Sequence, residues 1–237
     1  MKRLKHLEKI LETPYLGIIS FIRHGEKTKE GQLSESGKKQ ARELGQEFKQ
    51  MYKNHQQKNI FIRTSSSNED RTRDTINEML SIEPKYNKPT IQSMDVKAYF
   101  SDELMKTYVS IAEKEGELSA FNWFLDSQYG ENIAKELAYT LISAKEDSQK
   151  IERKNLKFHY FHGTHETLTE SLLKRIIITK ENKIGFDNIE EIGGGLQYAE
   201  PINFILDKDK TYKVEMRNKI YEVDMDRLEN LASQYSK

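Results

Sequence analysis

There is no cysteine anywhere in the 237 residues. Disulfides, thiol nucleophiles and thiolate metal sites are therefore excluded at the outset. There is no excess of charge either, since 38 Lys and Arg are matched by 38 Asp and Glu. That balance gives no electrostatic reason to expect nucleic acid or a membrane surface as partner. Long apolar runs are missing as well. The longest near the N-terminus, LGIISFI, is far too short to span a bilayer. The opening MKRLKHLEKILETP lacks the continuous apolar stretch of a signal peptide. The expectation is a cytoplasmic protein. Charged residues make up 32% of the chain, so its core must come from spaced apolar positions.

What the chain does have is alternation of strand and helix patterns. Leu4, Leu7, Ile10 and Leu11 share one helical face, and Pro14 stops that helix. Leu16 to Ile22 is apolar on both faces, as a buried parallel strand reads. In LSESGKKQARELGQEFKQMY, Ser34 suits an N-cap, and Ala41, Leu44, Phe48 and Met51 form a stripe. A short strand, NIFIR, a serine-rich loop and a helix over about 70–80 follow. Residues 82–100 read as irregular, with a short strand near Ile91, and 102–151 as mostly helical. LKFHYF returns to strand and HETLTESLLKRIII to helix. Three later strands with short turns, DKDK and RNK, are expected to be largely antiparallel, and a last helix covers about 225–235. The order predicts an α/β fold, a three-layer α/β/α sandwich with a mostly parallel sheet and antiparallel C-terminal strands. Residues 82–153 are expected to form a helical insert or cap within a single domain spanning 1–237.

Ligands of open α/β sheets sit beyond the carboxyl ends of the strands. Three predicted strand ends carry ionisable residues. The first offers Arg23, His24 and Gly25, with Lys27 beyond. The second offers Arg63 and Arg71 around the serine-rich loop. The third offers His162, Gly163, Thr164, His165 and Glu166. Two histidines and several cations converging on one edge suit a phosphate group, because arginine forks match its oxygens.

FIRHGEKT followed by GQLSESGKKQARELG resembles the histidine phosphatase (phosphoglycerate mutase-like) superfamily. That family carries Arg-His-Gly after its first strand, and then a helix whose pattern is matched here by Leu33, Ser34, Gly37, Gln40 and Ala41. SSNEDRTRDT resembles its second element, with Arg71 and Thr75 in the matching positions. GTHETLTESLL resembles the Gly-His-Asp-Thr-Thr-Leu element of the acid phosphatase branch, with Thr164 intervening and Glu166 in place of the usual aspartate. The three elements occur in the family's order between about residues 16 and 178.

The resemblance implies a phosphoglycerate mutase-like domain and a metal-independent phosphatase of small phosphomonoesters, without cofactor. His24 would form a phosphohistidine. Arg23, Arg71, His165 and Lys27 would bind the phosphate. Glu166 would serve as general acid, with Glu26 and Glu103 as alternatives. Arg63 and Arg73 compete with Arg71 for the phosphate role, and His162 competes with His165. A phosphomutase would use the same intermediate. Two other classes stay open, a metallohydrolase built on His159, His162 and His165, and an inactive phospholigand-binding protein. Substrate and oligomeric state are not legible.

Overall fold

A computed structural model describes residues 4–10, 12–54, 60–81, 101–152, 156–179 and 182–235. The strand expected near Ile91 lies outside these residues. The chain forms two compact units. The first comprises the described residues of Met1–Met94, Ala144–His165 and Gln197–Glu222, and the second those of Asp95–Ser143, Glu166–Leu196 and Val223–Lys237.

The first unit is built on a sheet. Its strands are β1 (Tyr15–Arg23), β2 (Ile60–Ser66), β3 (Lys157–Thr164), β5 (Pro201–Asp207), β6 (Tyr212–Met216) and β7 (Lys219–Val223), in the order β2-β3-β1-β5-β6-β7. The strand β1 is central, and all its residues but Arg23 are buried, which accounts for its apolar character on both faces. The core β2-β3-β1 is parallel and the C-terminal strands are antiparallel, as expected. Met216 pairs with Lys219, so the RNK turn is a two-residue hairpin. Arg217 and Asn218 there have φ of 52° and 59°, the left-handed pair that matches the twist of the flanking strands.

Three helices, α1 (Lys5–Ile10), α2 (Glu35–Asn54) and α3 (Asp70–Leu80), supply the apolar stripes that cover one face of this sheet. Leu4, Leu7, Leu44, Phe48, Met51, Ile76 and Met79 form one cluster with Ile18, Ile22, Phe161 and Ile205 of the strands. The predicted stripe of α2 is buried at all four positions. Burying each such side chain contributes about 2 kcal/mol, so this face carries much of the unit's stability.

A polar row crosses the same sheet. The Ser20 hydroxyl donates to Asn203 Oδ1 at 2.5 Å, so it must accept from His159 Nε2 at 2.7 Å. His159 Nδ1 then accepts from the Tyr52 hydroxyl at 2.5 Å. Asn203 Nδ2 donates to Glu215 Oε2 at 2.8 Å. Burial holds His159 neutral, with its pKa pushed down to about 3, and pushes Glu215 up to about 7.

The second unit is mainly helical. It contains α4 (Asp102–Glu115), α5 (Glu117–Asp126), α7 (Leu168–Ile176), α8 (Met225–Ser233) and the first part of α6 (Gln128–Glu152), with a two-residue strand β4 (Ile177–Ile178). Ser101 caps α4 by accepting from Leu104 N at 3.2 Å, and Gly116, at φ 93°, turns the chain into α5. Asp224 caps α8 through Arg227 N at 2.9 Å. Helix α7 starts at Leu168, not directly after His165 as its apolar spacing suggests. Thr167 has φ of 74°, which no α-helical residue adopts, so a turn intervenes.

Candidate functional site

The parallel register of β1 and β3 places Arg23 opposite Thr164. The next residue of each strand is a histidine, and His24 N still donates to Thr164 O at 3.0 Å. Two histidines distant in sequence therefore leave adjacent strand ends side by side. Their ring centroids lie 5.1 Å apart at an interplanar angle of 66°. Both rings are buried, at 5% and 6% exposure. One phosphoryl group can touch both.

The hydrogen bonds fix the protonation of each ring. His24 Nδ1 lies 2.7 Å from Gly25 O, and a carbonyl only accepts. Nδ1 therefore carries the hydrogen, and the neutral ring keeps its lone pair on Nε2. Burial is the main cause that drives the His24 pKa down to about 4. The bond to Gly25 opposes this, and the charges of Arg71, Arg23 and Lys27 add to it. His165 falls to about 2, chiefly by burial, with His24, Arg71, Lys27 and Arg23 adding to it.

His165 Nδ1 faces Arg71 Nη2 at 3.4 Å and accepts, because a guanidinium only donates. His165 Nε2 then donates to Ser67 Oγ at 2.9 Å, and Ser67 passes its hydrogen to Thr72 Oγ1 at 2.7 Å. Thr72 donates onward to Glu69 O at 2.7 Å. Arg71 is also tied to Glu69 Oε2 through Nη1 at 3.0 Å. Its Nε is buried and has no hydrogen-bond partner among the described residues. A buried guanidinium donor left open beside two imidazoles is costly unless an anion completes it.

The loop after β1 is held by the α2 residues of the sequence pattern. Ser34 Oγ accepts from Gly37 N at 3.0 Å, which makes it the expected cap. Gln40 Oε1 accepts from Glu26 N at 3.0 Å, and Glu26 O accepts from Ser34 N at 2.8 Å. Thr75 Oγ1 accepts from Gly25 N at 3.0 Å. Gly37 is required because a Cβ there would stand 2.3 Å from Glu26 O and 2.8 Å from Glu26 N. The variant Gly37→Ala is expected to lose about 2 kcal/mol of stability, since backbone on both sides must move. Urea unfolding of the two proteins measures this, and equal midpoints would refute the collision.

The other expected residues are distributed as follows. Lys27 is exposed, with its charge within reach of both rings. Arg63 lies over the Tyr160 ring at 5.7 Å, and Arg73 is ion-paired with Asp70 and Asp74, so Arg71 is the arginine beside the histidine pair. Glu26 serves the loop through its backbone. Glu103 is exposed on the first turn of α4. Glu166 belongs to the second unit, where a Cβ on Gly195 would come within 2.5 Å of its Oε1. Residues 193–195, three successive glycines, form a loop, and the third leaves room for this carboxylate. The Glu166 charge also helps raise the Tyr108 pKa, after burial.

The three histidines of the metal reading are not gathered. His159 and His162 are three apart in one strand and so face opposite sides of the sheet. His159 uses both ring nitrogens in the polar row, and His162 Nδ1 pairs with Ser65 at 2.7 Å. Among the described residues no three His, Asp or Glu side chains are arranged to hold a metal. Sequence reasoning did not single out Ser67, Glu69 or Tyr198. Ser67 sits in the serine-rich loop already noted, whereas nothing in the pattern marks Tyr198.

A model of the histidine phosphatase superfamily (branch 2) matches residues 20–138, half of the chain. Among solved structures, a mycobacterial glucosyl-3-phosphoglycerate phosphatase in complex with VO3 aligns at a TM-score of 0.51 and 13% identity, over 85% of this chain and 98% of its own. Phosphoglycerate mutase from Bacillus anthracis aligns at 0.50 and 17%, over 92% and 97%. At such identities these two share the fold with this chain. The curated proteins contain no match. No helix among the described residues is long and apolar enough to cross a membrane.

Proposed function

This chain belongs to the histidine phosphatase superfamily (branch 2), and from that premise we propose that it hydrolyses a small phosphomonoester through a phosphohistidine on His24. Membership supports phosphoryl transfer as the reaction class. The observation that carries the finer reading is the pairing of a neutral His24 ring, lone pair on Nε2, with the His165 ring 5.1 Å away and the open Nε of Arg71.

In the first step Nε2 of His24 forms a bond to phosphorus while the bond to the ester oxygen breaks. Glu166 gives that oxygen its proton. Arg23, Arg71 and Lys27 hold the other three phosphoryl oxygens, where charge must be neutralised. His165 joins them as a donor once the bound anion brings a proton onto its Nδ1, which otherwise accepts from Arg71. In the second step water attacks the phosphorus, Glu166 accepts a proton from it, and the P–N bond breaks to release orthophosphate. His24 must be neutral to attack. Its folded pKa is near 4, against an ordinary 6.5, so the competent form persists well into acid. No step calls for a metal. The phosphomutase reading shares the first step and differs only in what accepts the phosphoryl group.

The test is hydrolysis of a generic aryl phosphate with a chelator present. We expect turnover, inhibition by vanadate, and a kcat/KM limb for His24 near pH 4, separate from the substrate's own second ionisation. Activity lost to the chelator would overturn the metal-free mechanism. An enzyme limb near 6.5 would overturn the protonation assigned to His24. Stability shifts in the same direction. His24, His159, His162 and His165 all have depressed folded pKa values, so below pH 6.5 the unfolded chain binds more protons. Unfolding free energy therefore falls as pH drops from 6.5 toward 4.

A further inference from the structure

Tyr198 lies outside every motif, in the turn that leads into β5, and it is half-buried. The guanidinium carbon of Arg23 sits 4.4 Å from the centre of its ring. The ring also approaches the His24 imidazole, centroid to centroid at 5.9 Å and tilted 42°. The next residue, Ala199, is fully buried with φ 52°, and its N–H reaches both Arg23 O at 3.1 Å and His24 O at 3.3 Å. Two consecutive residues thus grip the side chains and the backbone of the Arg23-His24 pair. The Tyr198 hydroxyl has no hydrogen-bond partner among the described residues. It is therefore the aromatic face, not the hydroxyl, that is engaged here.

We propose that Tyr198 is a positioning residue of the phosphoryl-transfer site, its ring holding the Arg23 guanidinium beside His24 as a flat fork ready for phosphate oxygens. This rests on the phosphatase reading above. A free arginine side chain has considerable rotamer freedom to lose when it grips an anion, and a ring that already holds it reduces that loss. Only an aromatic face offers the guanidinium an attractive quadrupole. An aliphatic side chain of similar bulk would fill the space without orienting the charge.

The experiment measures orthovanadate affinity by calorimetry, with thermal melting as a check on folding, for wild type, Tyr198→Phe, Tyr198→Leu, Arg23→Ala and the Arg23→Ala/Tyr198→Leu pair. Tyr198→Phe is expected to bind within about twofold of wild type, because the cation–π face is retained. Tyr198→Leu is expected to bind about tenfold more weakly. In the Arg23→Ala background the leucine substitution should cost nothing further, because the group it positions is gone. Full affinity in a folded Tyr198→Leu protein overturns the inference. So does a phenylalanine variant as weak as the leucine one, which would assign the role to the hydroxyl. A wild type that neither binds vanadate nor hydrolyses an aryl phosphate refutes the phosphatase reading instead, and this inference with it.

Discussion

His24→Ala is expected to lose aryl phosphate hydrolysis by about four orders of magnitude or more, the scale seen when a covalent nucleophile is removed. The loss should fall on kcat. Arg23, Arg71, His165 and Lys27 all remain in the variant, so vanadate affinity should fall far less, within about tenfold of wild type. Wild-type protein quenched during turnover should carry an acid-labile, alkali-stable phosphoryl group, absent from the variant. Undiminished turnover in His24→Ala would remove the proposed nucleophile altogether. The Gly25 carbonyl fixes the hydrogen on Nδ1, which leaves Nε2 as the atom able to attack.

The second large effect is expected at Arg71. Its Nη2 faces His165, its Nη1 pairs with Glu69 and its Nε is open. Arg71→Ala should lower kcat/KM by about a hundred- to a thousandfold, as for loss of one electrostatic stabiliser of the transition state. Arg71→Lys should recover only part of this, because an ammonium restores charge but not a planar fork. A further component comes from Glu69, whose carboxylate would face the incoming phosphate without its partner. Adding Glu69→Gln to Arg71→Ala should therefore recover some activity. If Arg71→Lys behaves as wild type, charge alone suffices and the fork plays no part.

Much of this was legible in the residues. The strand β1 showed itself by being apolar on both faces, and α2 by its four-residue stripe, because periodicity reports which faces are buried. The histidines at 24 and 165 were legible because strand ends are where parallel sheets place ligands. Other parts depend on contacts that no local pattern encodes. Thr167 has a positive φ of 74°, which the spacing of apolar residues does not report, and so α7 begins three residues later than that spacing suggests. Tyr198 meets Arg23 across 175 positions of sequence, and single aromatic residues give no periodic signal. Ser67 was hidden among identical neighbours, since only the fold decides which serine of three faces His165. The relation of Glu69 to Arg71 was hidden too, because charges two apart read as an ordinary solvated loop.

The chain of shared protons from Tyr52 through His159, Ser20 and Asn203 to Glu215 has a consequence for alignment. It stitches β3, β1, β5 and β6 together across the sheet, with Ser20, Asn203 and Glu215 directly opposite one another and His159 reaching Ser20 from a position two residues along. Sliding any of these strands by a single residue would turn its polar member toward the opposite face and strand its neighbours without partners. Apolar residues on both faces of β1 could tolerate such a slip, but this row cannot. It acts as a keyway that sets how far β1 and β3 extend relative to each other, and so keeps the two imidazoles at their tips abreast.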